Sequence, residues 1–125
     1  MDDTRWVVLG GLHSLAFGLF HLAFWKLFHW KRELARLSVA NRAVMQILNL
    51  RLTYVFLAVA ALCFLFPAEL AGTPLGRAML VVMSLFWLGR AIEQLVFLPL
   101  RHPAVHLLTL AFLAGAAVFA LPLVN

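Results

Sequence analysis

The general acid or base candidates of the expected helix bundle are His21, Glu93 and His106. Arg90 stands one helical turn before Glu93, close enough to offset its charge, and Gln94 follows directly. Gln46 and Asn49 add amides, which present a donor and an acceptor together and so orient a bound molecule. His21 and His106 also lie in the first and last apolar segments, where opposed imidazoles in a helical membrane bundle can hold b-type haem or a metal. His29 and His102 form a second matched pair nearer the segment ends. Cys63 is the only cysteine and sits in an apolar run, so it is expected to be a buried, inert thiol. The sequence holds no H-E-x-x-H, glycine-rich phosphate loop or G-x-S-x-G, and no nucleophile beside a base. Binding is therefore favoured over catalysis.

The elements that carry these residues must live in a membrane. Of the 125 residues, 65% are hydrophobic and 12% charged, against about 45–50% and about 25% in soluble domains. A soluble domain of this size exposes too much of its surface to hide so much apolar area. The net charge of +5 is concentrated at Lys26, Lys31, Arg32, Arg36 and Arg42, one junction between apolar segments. That placement fits anionic lipid headgroups rather than nucleic acid, which is excluded as a partner.

Four spans are expected, at about 6–30, 42–66, 75–98 and 103–121, in a single transmembrane domain covering 1–125. Trp6, Trp25 and Trp30 are placed as interfacial anchors of the first. Ser38 or Asn41 is positioned to cap the second, and Thr73-Pro74 reads as a cap followed by proline at the first helical position. Pro67, Gly72, Thr73, Pro74 and Gly76 give the 67–76 connection a turn composition. No segment alternates like a strand, and short connections favour antiparallel neighbours. The expected fold is an all-α, up-down-up-down four-helix bundle.

Within it, Gly10, Ser14 and Gly18 form a small-residue stripe that admits a neighbouring backbone, and the alanine- and glycine-rich last span is its expected partner. Met79, Met83, Phe86, Trp87, Arg90, Glu93, Gln94 and Phe97 share one broad face of the third span. A central Arg or Asp facing lipid costs about 2.5–3.5 kcal/mol on insertion scales, so this face should turn inward or onto another subunit. Counted from the basic end of each span, His21, Glu93 and His106 reach similar depths, with Gln46 and Asn49 nearby.

These residues, with Trp25 and Trp87 as apolar walls, define the expected site: His21, Trp25, Gln46, Asn49, Trp87, Arg90, Glu93, Gln94 and His106. The expected function is an inner-membrane protein with a polar pocket in the cytoplasmic half of its bundle, binding or moving a small or lipidic ligand. An accessory subunit of a membrane complex, or of a homo-oligomer, is the first alternative. A bis-histidine haem or metal protein using His21 and His106 is the second.

Loop charge sets the topology. Lys31, Arg32, Arg36 and Arg42 lie on one side and Glu69 on the other, so the 31–42 connection should be cytoplasmic and both termini periplasmic. With Cys63 replaced, single cysteines at Thr4 and Ala71 should react with an impermeant reagent added from the periplasmic face. Reaction from the cytoplasmic face alone would reverse the assignment.

Overall fold

The computed structural model describes residues 2–124, and every regular element among them is helical. Three long helices are α4 (Val39–Leu65), α6 (Pro74–Phe97) and α7 (Pro103–Ala120), the last continued by a 3-10 turn at Leu121–Leu123. These three are long and apolar enough to cross a membrane. The second, third and fourth expected spans thus appear as continuous helices with nearly the expected limits.

The first expected span does not. Helix α1 (Asp3–Leu22) has 20 residues, about 30 Å at 1.5 Å each. With Arg5, His13 and His21 among them, α1 is not one of the three sufficiently apolar helices. Beyond Leu22 the chain continues in two single-turn pieces, α2 (Phe24–Leu27) and α3 (Trp30–Glu33). His29 between them adopts a left-handed conformation, φ 52° and ψ 46°, which reverses the local path of the backbone. A 3-10 turn, Leu34–Arg36, then leads to α4.

The helix starts follow the local chemistry. Asp2 accepts from the Arg5 amide at 3.0 Å and the Thr4 hydroxyl at 2.7 Å, and these bonds hold its carboxyl below the usual range. Ser38 Oγ accepts from the Asn41 amide at the start of α4, so Ser38 rather than Asn41 is the cap. Thr73 Oγ1 accepts from Gly76 N at 3.0 Å, with Pro74 at the first helical position, as expected. His102 Nδ1 accepts from Ala104 N and caps α7. The 67–76 connection is partly helical: α5 (Pro67–Gly72) packs directly against the first turn of α6.

The contacts divide the chain into two compact units, one of residues 11–62 and one joining the first ten residues to those from Cys63 onward. In the second of these, α6 and α7 run antiparallel. Ser84 Oγ donates to Ala116 O at 2.8 Å, and the rings of Trp87 and Phe112 stack at 5.7 Å and 20°. Gly10 lies against the Phe119 ring, the contact expected between small residues of the first segment and the last helix.

Arg77 closes this unit. It donates through Nη1 to Ala71 O at 3.1 Å and Pro122 O at 3.3 Å, and through Nη2 to Leu123 O at 2.9 Å. One guanidinium thereby satisfies carbonyls at two helix ends, where the backbone leaves acceptors unpaired and the dipole favours a cation.

Gly76 tests the α5–α6 contact. A methyl there would overlap the Glu69 carbonyl and come to 2.5 Å from Leu70 Cα, both backbone atoms that cannot swing aside. Gly76→Ala should lower stability by about 1–3 kcal/mol, the usual range for overpacking. Gly72→Ala, which meets nothing within 4 Å, should stay within about 0.5 kcal/mol of the parent. Equal unfolding midpoints for the two variants in detergent would show that α5 does not sit on α6 in this way.

Candidate functional site

In the unit of residues 11–62, α4 presents a polar stripe at four- and three-residue intervals: Arg42, Gln46, Asn49 and Thr53. That spacing keeps all four on one helix face. Opposite it runs the descending sequence Trp25, His21, Phe17, an antiparallel arrangement that brings the two sets into register.

Asn49 is the centre of the stripe and is buried. Its Nδ2 donates to the His21 carbonyl at 2.9 Å, while its Oδ1 lies 2.7 Å from His21 Nδ1. Because the amide nitrogen is directed at a carbonyl, the oxygen faces the ring and must be the acceptor. His21 therefore carries its proton on Nδ1. The ring also stacks on Phe24 at 4.3 Å and touches Phe56 at 5.2 Å. One α-helical turn nearer the basic segment, Trp25 Nε1 donates to Gln46 Oε1 at 3.2 Å, and Gln46 Nε2 donates to Arg42 O at 3.3 Å. Thr53 Oγ1 turns back to Asn49 O. Below these rungs the helices close up at Gly18, whose added methyl would meet Leu57 at 2.8 Å.

This pairing explains the interrupted first span. A side-chain donor inserted at the His21 carbonyl disturbs the regular ladder, and Ala23 N reaches back to Phe20 O, three residues rather than four. The helix ends there without glycine or proline.

Beside the Trp25–Gln46 rung lies an open cleft of about 390 Å³, lined by Trp25, Trp30, Lys31, Leu34, Ala35, Arg42 and Gln46. Trp25 and Trp30 meet edge to face at 5.0 Å, so Trp30 is packed rather than exposed as an interfacial anchor. Arg42 donates through Nε to Leu34 O and through Nη2 to Leu37 O, which pins the floor of the cleft to the start of α4. Lys31 is exposed at the rim.

The remaining expected site residues belong to the other unit. Trp87 and Gln94 are each only 1% exposed. Gln94 Nε2 approaches Val105 O at 3.5 Å, and its buried Oε1 has no hydrogen-bond partner among the described residues. Arg90 lies over the Phe112 ring at 4.5 Å. Glu93 and Phe97, expected to turn inward, are exposed, as is His106. The buried line of α6 runs through Leu80, Trp87, Ala91 and Gln94, so of the broad face read from the sequence only Trp87 and Gln94 are buried. Glu93 is displaced by about 100° from Gln94 and falls outside it. A smaller cleft of about 190 Å³ includes Gln94, Arg101, His106 and Thr109 in its lining. Among the described residues, no three histidine, cysteine, aspartate or glutamate side chains are grouped to hold a metal ion.

Comparison with models of known families, with curated proteins and with solved structures returned no match. The geometry alone therefore carries the functional reading.

Trp30, Lys31, Arg42 and Thr53 were outside the expected site. In the sequence Lys31 and Arg42 merge into the cluster of positive charge, although the spacing 42-46-49-53 marks one face.

Interhelical hydrogen bonds in membranes average about 0.6 kcal/mol and reach about 1.7. Asn49→Leu removes two of them and leaves His21 Nδ1 without that acceptor, so it should lower stability by about 1–2 kcal/mol. Trp25→Phe removes one bond at the half-exposed rung and should cost less than about 1 kcal/mol. Denaturation midpoints in detergent measure both, and a harmless Asn49→Leu would remove the bridge from its central position.

Proposed function

We propose that this is a multi-pass inner-membrane protein that binds an amphiphile with an anionic head at its cytoplasmic face. The observation that carries this reading is the cleft bounded by Trp25 and Trp30 on one side and by Lys31 and Arg42 on the other. The two rings give the cleft an apolar wall, and basic side chains at the membrane surface attract acidic lipids. Gln46, held by Trp25 and by the Arg42 carbonyl, adds an oriented amide. A volume of about 390 Å³ lies within the range usual for small-molecule sites. The polar ladder behind the cleft keeps Trp25 and Gln46 in place and need not touch the ligand. His21 and Asn49, bonded to each other, thus move from the expected ligand set to its support. With the basic segment cytoplasmic, crossings by α4, α6 and α7 in turn would end on the periplasmic side, and a crossing by α1 would begin there.

A second reading, an accessory subunit of a membrane complex, is favoured by the outward position of Glu93 and His106. The two readings differ in what Lys31 does.

A basic side chain near the membrane surface contributes about 1 kcal/mol to acidic-lipid attraction, or about fivefold in affinity. The purified protein should retain an acidic phospholipid over a zwitterionic one of the same chains in native mass spectrometry. Lys31→Ala should weaken that retention about fivefold, and Trp30→Leu should weaken retention of both lipids. Equal retention of acidic and zwitterionic lipid, unchanged by Lys31→Ala, would move the weight to the accessory reading.

A further inference from the structure

Two opposite charges in the apolar part of the chain face outward. Arg51 stands near the middle of α4, exposed, with its guanidinium over the face of Tyr54 at 5.5 Å. Glu93 stands near the end of α6, also exposed. Arg90 attracts it through space, but the Arg90 guanidinium leans onto Phe112. Neither Arg51 nor Glu93 belongs to any ion pair among the described residues, whose pairs are Arg5–Asp2, Arg32–Glu33 and Arg36–Glu33. An ionised group on a lipid-facing surface is costly unless it reaches water or an opposite charge.

We infer that Arg51 of one copy pairs with Glu93 of a second copy, making these two faces a self-association surface. Every copy carries both members of the pair, so the occupant that matches both charges at once is another molecule of this chain. Depth permits the match. Measured from the helix ends away from the basic segment, Arg51 lies about 21 Å along α4 and Glu93 about 28 Å along α6. Two long, flexible side chains span the difference of about 7 Å.

The surroundings suit a helix contact. Gly89 precedes Glu93 by one turn, and a methyl added there meets nothing within 4 Å. This leaves a notch beside the carboxylate into which a neighbouring helix can settle. Beside Arg51, Leu48 and Tyr54 are largely exposed and supply apolar surface to fill such a notch. The pairing is independent of the Trp25–Trp30 cleft, and neither reading depends on the other.

Charge reversal in separate copies tests it. Copies carrying Arg51→Glu oppose like charges at the contact, and so do copies carrying Glu93→Arg. Mixed together, the two variants match wherever a copy of one meets a copy of the other. Self-association is read in lipid bilayers by counting photobleaching steps of labelled chains, with helical content checked by circular dichroism. The parent should self-associate, each variant alone at least tenfold more weakly, and the mixture should recover. A parent that stays monomeric at high density, or folded variants that fail to recover when mixed, would overturn the proposal. Should either variant fail to fold, Gly89→Leu decides, because the Cβ it adds meets nothing within 4 Å. It should weaken association at least tenfold, and unchanged association would overturn the pairing.

Discussion

Where water is scarce, a polar side chain either finds a partner inside the protein or disturbs whatever lies near it. The Asn49 amide shows both effects at once. Its two ends bind the backbone and ring of a single residue, His21, and the same bonds interrupt the helix that supplies that residue. Because α1 stops at Leu22, Trp25 and Trp30 sit on separate single-turn pieces and can meet edge to face. A helix continued past Leu22 would carry both rings along one straight rod. The cleft beside them, and the reading of the protein as an anionic-amphiphile binder, rest on that interruption.

Burial on α6 obeys the same constraint with a different result. Trp87 and Gln94 take the packed line, and Arg90 lies against an aromatic face, whereas Glu93 is left outside. A helix of this diameter cannot turn a face of eight residues into one neighbour. The polar groups that fail to fit are the ones available to other molecules, which is why the outward charges say more about partners than the buried ones do.

Much of the architecture was legible in the sequence, because helix starts and stops are local. Thr73-Pro74, Pro99 and Pro103 mark their boundaries through fixed backbone geometry, and long apolar runs mark the three helices able to cross a membrane. The break after Leu22 carries no such mark. Its cause is a side chain 28 residues downstream, and no property of residues 20–25 announces it. For the site, residue type identified His21, Trp25, Gln46 and Asn49, two pairs that the structure joins. Direction was harder to read: the depth of Glu93 and His106 could be counted, but which side of the helix would pack depended on side-chain size along α6 and α7. Lys31 and Arg42 were hidden by their own abundance, since a cluster of cations reads first as topology.

Arg42 and Arg77 occupy the same place, the fourth residue of α4 and of α6, each behind a hydroxyl cap. They differ in timing. The carbonyls that receive Arg42 precede it in the chain, so the start of α4 can close as soon as it leaves the ribosome. Two of the three acceptors of Arg77 lie 45 and 46 residues later. During synthesis that guanidinium must wait, held by Ala71 alone and by whatever water or headgroup is at hand, until α7 has entered the bilayer. The residues after α7 thus act as a latch on the start of α6, and a segment made later secures a helix that began well before it.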